Sequence, residues 1–283
     1  MQNLKTPANH MHRMNLFQCK ASDFLPPFSS PNYHILLFKG KGSFSIDFTE
    51  YCCSGATVLF FTPFQTLLWG SGDQIEIEGL AFHGDFYCIE YHKHDVACNG
   101  LLFNNIYLDP HITVSDADFD ELRLLFGKIR HELTCDSAFS DAILKAYLQL
   151  ILALCSRTKK QQLQEIETAI DWSREMKDIR QLIDTHFLTQ RSPSFYASEL
   201  ALSPSALSKK TRQFFGKTPT QLIQDRVVLE AKKMLHLTRI PIKEIATQLN
   251  FEDVFYFSRY FRKTVGLSPL HYRQEVGISI VAK

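Results

Sequence analysis

Two stretches of this sequence repeat one pattern, and the repeat limits the fold more than any other feature. ASELALSPSALSKKTRQFFGKTPTQL (197–222) aligns with ATQLNFEDVFYFSRYFRKTVGLSPLHY (246–272). At an offset of 49, Ala197 falls on Ala246, Leu200 on Leu249 and Leu202 on Phe251. After a one-residue insertion the offset is 50: Leu207 falls on Phe257, Ser208 on Ser258, Lys209 on Arg259, Arg212 on Arg262, Gly216 on Gly266 and Pro219 on Pro269. Self-similarity of this kind means one supersecondary unit used twice. Each copy reads as a helix, a tight turn, a second helix and a glycine stop.

The second copy shows why. Between Asp253 and Gly266, five aromatic rings and three basic side chains share fourteen residues. Ile242, Ile245, Ala246 and Leu249 form one face of a short helix. Asn250 stands where the chain must turn, and Asn tolerates the left-handed conformation. Asp253 is placed to cap the next helix. There Phe257, Tyr260, Phe261 and Thr264 follow a helical spacing and are expected to pack inward, while Phe255, Arg259 and Arg262 share another face. Gly266 closes the helix and Pro269 starts the last one. Bases outward, rings inward, behind a helix and a turn: that is the layout that places a helix in the major groove of DNA.

Charge divides the chain in the same sense. The net charge is only +1, but residues 1–157 carry 11 basic against 17 acidic side chains, and residues 158–283 carry 20 against 13. A basic half is suited to a polyanionic partner. Hydrophobic content of 45% and charged content of 22% are those of an ordinary globular protein. The longest apolar run, 142–156, is interrupted by Lys145 and Gln149 and is shorter than the roughly 20 residues a bilayer span needs. The N-terminal stretch lacks the apolar core of a secretory signal. Seven cysteines without CxxC spacing fit reduced thiols in a cytoplasmic protein.

The acidic half reads differently. From about Tyr33 to Tyr107, HILLFKG, SFSIDF, ATVLFF, TLLWG and EIEGLAF are short β-rich runs between turn residues, which suggests a small barrel or sandwich. SFSIDF alternates and should have one wet face; TVLFF should be buried on both. From Asp116 the period becomes helical. Phe119, Leu122, Leu125, Phe126, Ile129 and Leu133 share a face, with Ser115 as the N-cap. The helix that follows, DAILKAYLQLILALCSR, is apolar around much of its circumference, and a second copy of the chain would cover the extra face. Residues 158–177 are polar and read as a linker with some helix.

With IRQLIDTHF, ELALSPSALSKKTRQFFGKTPTQLI and RVVLEAKKMLHLTRIPIKEIATQLNFEDVFYFSRYFRKTVGLSPLHYR in place, the segment from about Asp178 to Arg273 resembles the DNA-binding domain of the AraC/XylS family of transcription regulators. The resemblance rests on IKEIA, F-x-D, YFSR-x-F-R, G-x-SP and YR in this order. It implies an α+β chain: residues 1–157 a cupin-like β-barrel sensor with dimerisation helices at about 116–157, and residues 178–283 an all-α DNA-binding domain. In that domain, helix-turn-helix units at about 196–216 and 242–266 are joined by the long helix PTQLIQDRVVLEAKKMLHL. It implies promoter DNA with half-sites about one helical turn, roughly 34–36 Å, apart. It further implies a homodimer, a small-molecule effector in the β domain, and RNA polymerase as a partner. Activation and repression are both open. The family often has Gly where Asn250 and Ala201 stand, so the first turn, with Ala201, is expected to differ in geometry.

Roles follow on that basis. Ser205, Ser208 and Lys209 face the groove, with Lys209 the guanine contact; Lys210 and Arg212 meet phosphates or solvent. In the second unit Arg259 reads bases or phosphate, Arg262 and Lys263 meet the backbone, and the apolar Val254 and Phe255 are fit to touch thymine methyl groups. Phe38, Phe44, Phe60, Trp69 and Phe82 are the candidate effector lining, or simply core. No cofactor or metal is expected: His92 and His94 with His83 nearby lack a further ligand, and Leu67 and Leu68 occupy the place where a metal-binding cupin carries His. Phosphate-loop and nucleophile-elbow motifs are missing. The competing reading is a cupin-type enzyme or ligand-binding protein tethered to DNA.

Overall fold

A computed structural model of the chain describes residues 2–3, 14–47, 49–72, 74–89, 100–135, 138–169 and 173–277. By its contacts the chain divides into two units, one running to Gln162 and one from Leu163, with Ile106–Leu108 grouped in the second.

The first unit is built on an antiparallel sheet: β1 (Gln2–Asn3), β2 (Met14–Lys20), β3 (Tyr33–Ile46), β4 (Thr49–Phe61), β5 (Leu67–Ser71), β6 (Glu76–Phe82) and β7 (His111–Thr113). The order is β1-β2-β6-β3-β4-β7, with β5 also on β3. The sheet is open, not the small barrel expected. The reason lies in β3. The runs HILLFKG and SFSIDF are largely one 14-residue strand that pairs with β4 along its length, with β6 over Tyr33–Phe38 and with β5 over Ser43–Ile46. That strand fills both of its sides, and among the described residues the outer strands β1 and β7 do not pair with each other.

Side-chain alternation gives the sheet two apolar faces. Ile35, Leu37, Val58, Phe60, Leu80 and Phe82 meet helices α1 (Asp116–Glu132) and α2 (Ser140–Ala169), through residues such as Phe126, Ile129, Leu148 and Ile151. Leu36, Phe38, Leu59, Phe61, Ile77 and Trp69 form a second cluster on the opposite face. As expected, Phe44 and Ile46 are buried while Ser43 and Ser45 are half-buried, and 56–61 is buried throughout. Ser115 caps α1 by accepting from the Asp118 amide. Lys159, on α2, donates to the carbonyls of Asp109 (2.8 Å) and His111 (2.9 Å); burial pushes its pKa down to about 8.

The second unit contains α3 (Ser173–His186), α4 (Pro193–Glu199), α5 (Pro204–Phe215), α6 (Pro219–Leu237), α7 (Ile242–Gln248), α8 (Val254–Val265) and α9 (Pro269–Val276). Residues 158–169 continue α2 and α3 begins at Ser173, so most of the polar stretch 158–177 is helical. The long α6 is the spine. A capping box of Thr218 and Gln221 starts it, with Pro219 in the first turn, and it buries Leu222, Ile223, Val227, Val228, Ala231 and Leu235. On one side Arg226 joins it to α3 through Asp184 (2.9 Å) and stacks over Phe187. On the other, Gln224 donates to Thr264 of α8 (2.5 Å), and His236 Nδ1 lies 2.5 Å from the Val276 carbonyl oxygen of α9.

Candidate nucleic-acid interface

The two repeats fold as two helix-turn-helix units, α4–α5 and α7–α8. Their turns match bond for bond. The Leu202 amide donates to Ala197 O (2.8 Å) and the Phe251 amide to Ala246 O (2.9 Å). The residue before each stands in the left-handed region, Ala201 at φ 52° and Asn250 at φ 58°. The expectation that Ala201 would change the first turn is therefore corrected: the flanking bonds hold the same geometry, at a backbone cost that Asn bears more easily than Ala. The second helices are capped alike. Ser203 accepts from the Ala206 amide, and Asp253 accepts from the amides of Phe255 and Tyr256. Counting back from these caps puts the inserted residue at Glu252. Gly216 (φ 66°) and Gly266 (φ 85°) close α5 and α8 in the left-handed conformation that glycine adopts without strain.

Inward, α8 buries Phe257, Phe261 and Val265, with Tyr260 and Thr264 half-buried at the edges of that stripe. Burial pushes the Tyr260 hydroxyl up to about 12. On α5 the corresponding buried positions are Leu207, Thr211 and Phe215. Outward, α5 exposes Ser205, Lys209, Arg212 and Gln213; α8 exposes Phe255, Tyr256, Arg259, Arg262 and Lys263. Ser205, Lys209, Arg212 and Gln213 follow i, i+4, i+7, i+8, as do Phe255, Arg259, Arg262 and Lys263, and mark one face of each helix, with Tyr256 next to Phe255.

Not every expected residue is equally placed. Ser208 and Val254 are half-buried, at the margin of the outward face. Lys210 is drawn aside to the Glu175 carboxylate on α3. Ser205 Oγ lies 3.0 Å from the capping Ser203 Oγ. Sequence reasoning missed Tyr256, 52% exposed beside Phe255 at 72%. Its spacing to Arg259 and Lys263, three and seven residues, was the available signal. Gln213 was missed for the same reason, standing opposite Lys263 at the repeat offset.

In the first unit the five rings named as an effector lining are not brought together. Phe38, Phe44 and Trp69 cluster on one face of the sheet, with centroids 5.2–6.5 Å apart. Phe60 and Phe82 lie on the other face, both against Phe103. All five are buried, as core. An open groove of about 1030 Å³ takes in Phe38 but none of the other four rings, and is lined besides by Lys20, Lys39, Glu76, Glu78, Phe119 and Arg123 among others.

His92 and His94 lie outside the described residues. His83 Nδ1 accepts from the Asp85 amide (3.2 Å). Gln65 ties its loop together, accepting from the Thr62 amide (2.9 Å) and donating to Asp47 (3.1 Å). At the end of α1, ligand atoms of His131, Glu132 and Cys135 lie within 4.8 Å of one another. There Glu132 accepts from Ser140 Oγ (2.6 Å), joining α1 to the start of α2. Cys19, Cys52, Cys53 and Cys135 are thiols. Among the described residues no helix is long and apolar enough to cross a membrane.

Comparison with known proteins bears on the same helices. A family model described as a helix-turn-helix domain matches residues 196–275. The arabinose operon regulatory protein of Salmonella typhimurium is 37% identical over 92 residues, 32% of this chain and 31% of that protein. The chain thus spans about a third of the length of that relative. The HTH-type transcriptional activator RhaR of Escherichia coli is 24% identical over 206 residues, 70% of each chain. Among solved structures, unsaturated fatty acid bound wild-type ToxT from Vibrio cholerae aligns with a TM-score of 0.42 and 17% identity, over 95% of this chain and 96% of that one. The C-terminal domain of AraT, a response regulator from Geobacillus stearothermophilus, aligns at 0.36 and 31% identity, over 38% of this chain and 89% of that domain. The duplicated C-terminal part of this chain thus carries a helix-turn-helix domain, and it is there that the chain is similar to the arabinose operon regulatory protein.

Proposed function

We propose that the protein is a sequence-specific transcription regulator that lays α5 and α8 in successive major-groove segments of promoter DNA. The observation that carries this reading is the repeated outward face: Lys209 and Arg212 on one helix, Arg259, Arg262 and Lys263 on the other, held at equivalent positions by matching left-handed turn residues and side-chain N-caps. A cation on such a face supplies phosphate or guanine contacts that a merely solvated charge does not need. Lys209 is assigned to a guanine edge, and Arg259 to a base or to phosphate. Arg212, Arg262 and Lys263 are assigned to the backbone, and Phe255 to a thymine methyl group.

The active species in this reading is a homodimer. Leu124 on α1 (63% exposed) and Leu150 on α2 (43%), with Ile143 one heptad before Leu150, offer an apolar seam that a second copy would cover. A small-molecule effector is assigned to the first unit. The groove there carries Lys39, paired with Asp116, and Arg123, paired with Glu78, beside Phe38, Ile75 and Phe119, a mixed lining that suits a ligand with a polar and an apolar part. RNA polymerase is the partner such a regulator addresses on the promoter.

The test is a gel shift with the full-length protein on its own upstream DNA at two salt concentrations. A discrete complex that resists random competitor and weakens steeply with salt, by roughly 0.9 log units of affinity per log unit of salt for each neutralised phosphate, supports the reading. Binding no better than to random DNA, on this fragment and on any sequence selected from a random library, overturns it.

A further inference from the structure

Arg191 lies in the connection between α3 and α4, at the entrance to the first helix-turn-helix unit. Its partners belong to the second. Nη2 donates to the Leu249 carbonyl at 2.5 Å and lies 3.5 Å from the Asn250 carbonyl oxygen. The guanidinium stacks over the Phe251 ring, 3.8 Å from its centroid, and lies 5.9 Å from that of Tyr260. Leu249 and Asn250 are the turn of the second unit, Phe251 follows it, and Tyr260 is on α8. One side chain of the first unit thus holds the turn and the recognition helix of the second without passing through α6.

The chemistry suits a joint. Carbonyls at the end of α7 are acceptors with no partner inside their own helix, and they carry the negative end of its dipole. A guanidinium serves them in its plane while its face rests on the rings. Burial lowers the Arg191 pKa from its ordinary value, yet a guanidinium stays charged throughout the physiological range. Both carbonyls belong to the second unit and the guanidinium to the connection that leads into the first, so the bond spans the two. What it adds is relational: it fixes where the two units stand with respect to each other.

We propose that Arg191 is a spacing clamp. By fixing the separation and twist between α5 and α8, it makes the protein select DNA whose two half-sites stand at one spacing. The proposal rests on the DNA-binding reading above. Two binding modules joined rigidly at the right span bind a matched site more tightly than two joined loosely, and they reject a mis-spaced one more strongly.

The experiment uses full-length protein and duplexes recovered by selection from a random library with the wild type, rebuilt with one base pair inserted or removed between the half-sites. Wild type should prefer the matched duplex by about tenfold or more. In Arg191→Ala and in Arg191→Met, which keeps the aliphatic stem over Phe251, the preference should fall below about threefold. Affinity for a duplex with one intact half-site should stay within about twofold of wild type. An unchanged spacing preference in both variants overturns the proposal. So does an equal loss on every duplex, single half-sites included, because that is the mark of a residue that only holds the fold. If wild type selects no sequence at all, the DNA-binding reading fails first, and that is seen before any variant is made.

Discussion

From 205–220 to 255–270 the two helix-turn-helix units repeat their burial residue by residue, with one change, Ala206 against the more exposed Tyr256. Their side chains repeat far less. Ser205 stands opposite Phe255, Lys209 opposite Arg259, Gln213 opposite Lys263, and buried Thr211 opposite buried Phe261. The pattern of inside and outside is what a three-helix unit demands. Which side chain fills each place is free to follow packing on one face and the ligand on the other. The first unit carries its inward ring at the end of the stripe, Phe215; the second carries two earlier, Phe257 and Phe261, and closes with Val265.

The largest test of that contrast is the core. Phe261 is fully buried and meets Phe257 at 6.0 Å and Tyr272 at 5.5 Å between centroids. Phe261→Ala should destabilise the helical unit by roughly 3–5 kcal/mol, through lost burial and the cavity left behind. Thr211→Ala at the matching place removes a buried γ-methyl and one hydroxyl, bonded to Ser208 O at 3.3 Å, and should cost about 1–2 kcal/mol. Urea unfolding of the full-length protein, followed by circular dichroism, compares them. Equal losses would mean that the second unit does not depend on its rings.

On the outward face the expected effects are smaller and concern DNA. Lys209→Ala should weaken specific binding by about 1–3 kcal/mol and relax preference at one base pair, as the loss of a guanine contact does. Arg259→Ala should cost a similar amount. If its loss is spread evenly over all sequences and the salt slope drops by about one, it grips phosphate instead. An unchanged affinity and slope in either variant would move that residue out of the groove. Phe255 offers a sharper probe. Replacing one thymine by deoxyuracil removes a single methyl group, worth about 0.8 kcal/mol when buried. Wild type should lose that amount at one position of the half-site, and Phe255→Ala should not register the change.

What the sequence revealed of all this follows a physical rule. The helical half was legible because its signals are local: a cap, a turn residue and a stop within about twenty positions, stated twice. Asn250, Asp253 and Gly266 each do what their chemistry suggests. The β half was legible in its strands but not in their joining. Gly40 and Gly42 look like a break between two runs, yet they pair with Gly55 and Cys53 inside one long strand. The five rings taken together as a lining divide by strand parity and by which strands neighbour one another, and spacing along the chain does not show the second of these. Long-range partners were invisible for the same reason. Nothing near Lys210 points to Glu175, and nothing near Arg191 points to a carbonyl 58 residues away.

The smallest expected effect tests the turns themselves. Ala201 and Asn250 hold the same left-handed backbone, but they do not bear it equally. A Cβ in that region costs roughly 1–2 kcal/mol, and Asn recovers part of this through local bonding by its side chain, which Ala cannot do. Glycine removes the cost but loses more freedom on folding, roughly 0.5–1 kcal/mol. The balance favours Ala201→Gly by about 0.5–1 kcal/mol, whereas Asn250→Gly should lie near zero. Thermal unfolding of the two variants against wild type reads the difference directly. A destabilised Ala201→Gly would mean that the first turn holds its Ala without strain, and the two units would then differ in their backbone as well as in the faces they present.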